Sequence, residues 1–112
     1  MNIDDAFPSR FLRPADLGRA APAVTIAHVK MERVGSRQTS KPVLYFVGKS
    51  KGLILNKTNA TTIAALLRTK NTDEWRGATV RLFVTETTFG KETVPCIRVR
   101  AAVDGNQLRS AI

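Results

Sequence analysis

Cysteine and histidine occur once each in the chain, as Cys96 and His28, and the 9 acidic residues are outnumbered by 18 Lys plus Arg. A lone cysteine cannot build an internal disulfide framework, and with a lone histidine it cannot fill a tetrahedral zinc site. Long apolar runs are missing too. The longest, Val43 to Val47 followed by Leu53 to Leu55, falls far short of the ~20 residues that cross a bilayer, so no membrane association is expected. The opening Met1-Asn2-Ile3-Asp4-Asp5 has neither a basic start nor an apolar stretch for a secretory signal. The expected compartment is the cytoplasm.

Side chains that carry enzyme chemistry are equally sparse. His28 stands in an apolar run with no cysteine or carboxylate at ligand spacing, which reads as a partly buried structural histidine. Cys96 follows Pro95 in a second such run, far in sequence from the histidine, and reads as a small core residue. The acidic pairs Asp4-Asp5 and Asp73-Glu74 fit helix capping or solvation before metal binding. Gly48-Lys49-Ser50 echoes the end of a phosphate-binding loop, but Val43 stands where that loop needs a glycine and Gly52 follows where it needs a helix. Asn56-Lys57-Thr58 and Asn59-Ala60-Thr61 match the glycosylation pattern, which means nothing without secretion. No enzyme, metal site or cofactor is expected.

What the chain does have is positive charge. Its 112 residues, 43% hydrophobic, suffice for one domain with a real core, and the net charge of +9 makes an anionic partner the first expectation. That charge is concentrated. Residues 30–57 hold seven basic and one acidic residue and residues 58–100 hold seven and four, whereas residues 1–29 balance at three each.

Periodicity divides the chain into elements. Residues 1–22 mix prolines and aspartates with Phe7, Phe11, Leu12 and Leu17. They read as an irregular leader packed on the domain, with Pro14 opening a short helix over Ala15 to Leu17. Ala23 to Val34 reads as a strand with a bulge near Ala27 and His28. Val43 to Gly48 and Leu53 to Leu55 read as a hairpin whose tip projects Lys49 and Lys51 into solvent. Ala60, Ile63, Ala64 and Leu67 recur at helical spacing within Asn56 to Arg68, and Asn56, Thr58 or Asn59 can cap that helix. Trp75 is expected to anchor the connector that follows. Ala78 to Glu86 and Val94 to Val103 alternate as two more strands, and residues 104–112 are expected to fray.

Five short strands with a helix between the third and fourth describe an OB-fold-like small barrel over residues 23–103. The alternative is an open, curved antiparallel sheet with one packed helix. In either, alternation places Arg81, Phe83, Arg98 and Arg100 opposite the core residues Val80, Leu82, Ile97 and Val99. With Tyr45, Phe89, Lys41, Lys49, Lys51 and Lys91 they form the candidate site, because single-strand binding needs flat rings for bases and cations that follow phosphates.

Lys41-Pro42-Val43-Leu44-Tyr45-Phe46, Leu55-Asn56-Lys57-Thr58-Asn59-Ala60, Trp75-Arg76-Gly77 and Val94-Pro95-Cys96-Ile97-Arg98-Val99-Arg100 resemble a group of small uncharacterised proteins encoded by bacteriophages and prophages. The leader Phe11-Leu12-Arg13-Pro14-Ala15-Asp16-Leu17 is similar to their opening. The resemblance implies a phage setting in a bacterial cytoplasm. By analogy with phage single-stranded DNA-binding OB proteins, it favours non-enzymatic binding of single-stranded nucleic acid, DNA before RNA, in replication or recombination. The competing expectation is an accessory protein that binds an acidic host or phage protein. Oligomeric state is not legible in the sequence.

Overall fold

The computed structural model describes residues 10–102 of the chain, with the Phe89 side chain excepted. A short helix α1 (Pro14–Leu17) precedes strands β1 (Ala23–Val34), β2 (Thr39–Phe46) and β3 (Leu53–Ile54); helix α2 (Lys57–Leu67) and a 3-10 turn (Thr72–Trp75) follow, then β4 (Thr79–Phe89) and β5 (Glu92–Ala101). Pro14 opens α1, where its missing N–H has no helical partner to lose. The Asp16 carboxylate accepts the Arg13 N–H at 2.8 Å, which holds the Asp16 carboxyl below its ordinary pKa, with Lys51 adding to the effect.

All strand pairs are antiparallel and run in the order β3-β2-β1-β4-β5. β1 is the hinge of the sheet. Ala23 to Thr25 pair with β4, the rest of the strand pairs with β2, and the register shifts between Ile26 and His28. This is the expected bulge, and it bends the strand where it passes from one partner to the other. Alternation then sends Val24 and Ile26 of β1, Leu44 and Phe46 of β2, Val80 and Leu82 of β4, and Ile97 and Val99 of β5 into one core with Ile63 and Trp75.

Of the two architectures expected, the open sheet with a packed helix is the one observed. A closed barrel would need β3 hydrogen-bonded to β5, yet these strands are the two ends of the order. The cause is local. Asn56 accepts the Asn59 N–H at 2.8 Å and starts α2 two residues after β3, leaving β3 too short to zip onto another strand. α2 packs on β5 instead, where the buried Asn59 side chain donates to the Ile97 carbonyl at 2.9 Å. Ile63 has no exposed surface, as expected, while Leu67 is half-buried at the edge of the core.

Several boundaries differ from the sequence reading. β2 begins at Thr39 because the polar segment before Pro42 continues the ladder with β1, where Pro42 faces Met31. β4 runs on to Phe89 and the turn to β5 shrinks to Gly90 and Lys91, since Thr87 and Thr88 pair with Val94 and Thr93. Trp75 is 2% exposed and its indole donates to the Thr69 carbonyl at 2.9 Å, anchoring the connector. Leader residues 10–22 are tied to the sheet: Phe11 forms a parallel bridge with Gly52, and the Leu12 N–H donates to the Gly52 carbonyl at 2.8 Å. Residues 1–9 and the tail expected to fray, 104–112, lie outside the described residues.

Candidate nucleic-acid interface

The outer side of β4 and β5 carries four of the candidate residues in adjacent register. Arg81 faces Arg100 and Phe83 faces Arg98, while the core residues between them point the other way. The Arg100 guanidinium lies over the Phe83 ring, 5.1 Å from its centroid, so a cation and a flat apolar surface are presented as one unit. Arg100 is exposed; Arg98 and Phe83 are half-buried. Arg98 reaches back to the Ile97 carbonyl, at 3.4 Å.

Arg81 is a different case. Its guanidinium donates to the carbonyls of Ala21 and Ala102, bracing the leader and the end of β5 against β4. These bonds give Arg81 an architectural task that the sequence reading did not expect.

Tyr45 sits on the other half of the sheet. It pairs with His28, beyond the bulge, whereas Arg81 pairs with Ala23; those positions are five residues apart on β1, roughly 16 Å at 3.3 Å per residue. Tyr45 and Phe83 therefore form separate patches. The Tyr45 ring is stacked on His28 with centroids 4.9 Å apart and planes 24° off parallel. Its hydroxyl donates to Glu32, which raises its pKa above the ordinary value, with burial and the Glu32 charge acting in the same direction. Arg10 approaches the same carboxylate at 3.6 Å. Gly52 permits this assembly, because a Cβ there would lie 2.6 Å from Val43 Cγ1 and 3.0 Å from Tyr45 Cε1.

His28 is exposed, which corrects the expected partial burial: the bulge turns it outward, with Lys30 two residues on along the same face. Cys96 is half-buried on the side opposite Ile97 and lies outside the core. The tip between β2 and β3 is also divided. Lys49 is exposed, but the Lys51 ammonium reaches the Asp16 carboxylate at 3.1 Å and fastens α1 to the sheet, so only one of the two lysines projects freely. Lys41 is exposed on β2 opposite Glu32, and Lys91 is exposed in the β4–β5 turn. Phe89 ends β4, and its side chain lies outside the described residues.

Sequence reasoning passed over Lys30, Arg33 and Arg37, all exposed on the β1–β2 hairpin. The charge excess of residues 30–57 was the available signal. It also passed over the pairing of His28 with Tyr45: the bulge near Ala27 was expected, but its position alone does not show which β2 residue lies opposite His28.

Among the described residues no cluster of three or more His, Cys, Asp or Glu could hold a metal ion, and no helix is long and apolar enough to cross a membrane. No family model, curated protein or solved structure matches the chain.

Proposed function

We propose that the chain binds single-stranded nucleic acid, DNA in preference to RNA, without catalysing a reaction, and that it serves phage replication or recombination in a bacterial cytoplasm. The observation that carries this reading is the Phe83 ring on the outer side of β4–β5 with the Arg100 guanidinium over it and Arg98 opposite it. A base stacks on such a ring and a phosphate meets such cations. Lys91 lies in the turn of the same β4–β5 hairpin and Arg37 in the β1–β2 turn on the other half of the sheet, the two connections whose counterparts OB-type proteins use with single strands. The His28–Tyr45 pair, flanked by Lys30, is a second surface of the same composition.

The test is a fluorescence-polarisation titration of one labelled DNA single strand, its duplex and the RNA of the same sequence over a salt series. The single strand should bind more tightly than the duplex at moderate salt, and DNA more tightly than RNA. Duplex binding of equal strength would remove stacking from the mechanism. A pull-down that survives nuclease treatment would then favour an acidic host or phage protein as the partner.

A further inference from the structure

A groove of about 590 Å3 opens on the helix side of the molecule, lined by α2, the connector after it, Pro42 of β2 and Leu55 just past the end of β3. Leu55 and Trp75 form its floor, 5% and 2% exposed. Pro42, Ala60, Ala64 and Ala65 form its wall, half-buried or exposed, and supply the apolar surface that a ligand can touch without moving a large side chain. Arg68 and Lys70 stand at the rim, both exposed and neither in an ion pair among the described residues. Among the described residues no Asp or Glu lines the groove; Glu74, in the same connector, accepts from the Thr69 hydroxyl at 2.5 Å.

Arg68 holds its place against local preference. It ends α2 in the left-handed region, φ 60° and ψ 31°, and the Thr69 N–H closes the helix on the Ala64 carbonyl at 3.1 Å. Glycine is the usual residue at this position. An arginine there puts a cation at the mouth of the groove at the expense of backbone comfort, and such outliers motivate a search for function.

We infer that this groove docks an acidic, amphipathic peptide segment of a protein partner, its apolar side chains against Pro42 and the three alanines above Leu55 and Trp75 and its carboxylates against Arg68 and Lys70. Apolar anchors on one face of a short segment suit a groove of this kind, and the two cations orient the segment and reject basic competitors. The surface shares no residue with the Phe83 and Tyr45 patches, so one molecule can hold a strand and a protein together.

Trp75 is the only tryptophan of the chain and reports on the groove directly. The probe is a Trp-free synthetic peptide with leucines at helical spacing and glutamates between them, paired with a version carrying glutamines in place of the glutamates. The acidic peptide should shift Trp75 emission saturably, and the glutamine version should bind about tenfold more weakly. Arg68→Gly combined with Lys70→Gln should weaken the acidic peptide by about tenfold while leaving the melting temperature no lower and single-strand affinity unchanged. The inference is overturned by an absent Trp75 response, by equal binding of the two peptides, or by full affinity in the double variant. Displacement of the peptide by an oligonucleotide would also overturn it, since the groove would then belong to the strand.

Discussion

Phe83→Ala separates the ring from the charges around it. A base stacked on an aromatic side chain contributes about 1–3 kcal/mol. The Phe83 ring already carries the Arg100 guanidinium at 5.1 Å, and a base that takes this place forfeits the about 0.5–1 kcal/mol of an exposed cation–π contact. The difference centres on roughly 1–1.5 kcal/mol, close to tenfold in affinity. The cations remain in the variant. With Arg98, Arg100 and Lys91 as the phosphate contacts and Arg81 held by backbone carbonyls, the log-log salt slope should stay near about −2, from about −0.7 per neutralised phosphate. Arg100→Gln should instead make the slope shallower by about 0.7. Fluorescence polarisation of a labelled single strand across a salt series reads both quantities. Phe83→Leu, which keeps apolar packing and removes the flat ring, guards against a folding artefact. Wild-type affinity in both Phe83 variants, or an altered slope in either, would refute the stacking role.

Ile63→Ala empties a fully buried core position under α2 and should lower unfolding free energy by about 2–5 kcal/mol in a urea titration; a loss under about 0.5 kcal/mol, typical of surface sites, would mean the helix is not packed as described. Arg68→Gly relieves the positive φ at the end of α2 and should raise stability by up to about 1 kcal/mol, so a lower melting temperature would show that the arginine side chain outweighs its backbone. Lys49→Glu should leave the melting temperature unchanged and slow association with a single strand, whereas Lys51→Glu should lower it by setting two carboxylates together at Asp16; equal melting temperatures for the two variants would dismiss the Lys51–Asp16 pair. The depressed pKa of Asp16 stabilises the fold above the ordinary carboxylate pKa and is lost as pH falls through the folded value. Asp16→Asn should therefore cost melting temperature at pH near 7 and progressively less below about pH 4, and a gap independent of pH would contradict this.

The helix was legible because Ile63 and Leu67 repeat at 3.6 residues and Asn56 precedes them with a capping oxygen. The β4–β5 face was legible for a similar reason: the alternation from Val80 to Leu82 and from Ile97 to Val99 is unbroken, so Arg81, Phe83, Arg98 and Arg100 had to share the other side. What escaped depends on contacts between distant segments. Arg81 is tied to Ala21 and Ala102, and Lys51 to Asp16; neither engagement leaves a mark in local pattern. The His28–Tyr45 stack escaped although the bulge near Ala27 was expected, because the register of β2 against β1 that sets Tyr45 opposite His28 is a contact between distant segments.

Closure was the least legible property, and its substitute bears on the site. An open sheet exposes unpaired backbone groups at both edges, which invites pairing with another chain. On the β3 side the leader takes that place, with Phe11 bridged to Gly52 and the Leu12 N–H bonded to its carbonyl. On the β5 side the Asn59 amide satisfies the Ile97 carbonyl while α2 lies alongside. Both devices act at the margins of the sheet and leave the Phe83–Arg100 unit presented on its outer side. The consequence is a division of labour within the basic residues: Lys51 and Arg81 secure the leader and the strand end, and Arg98, Arg100, Lys91 and Lys49 are left for the proposed contact with an anionic strand.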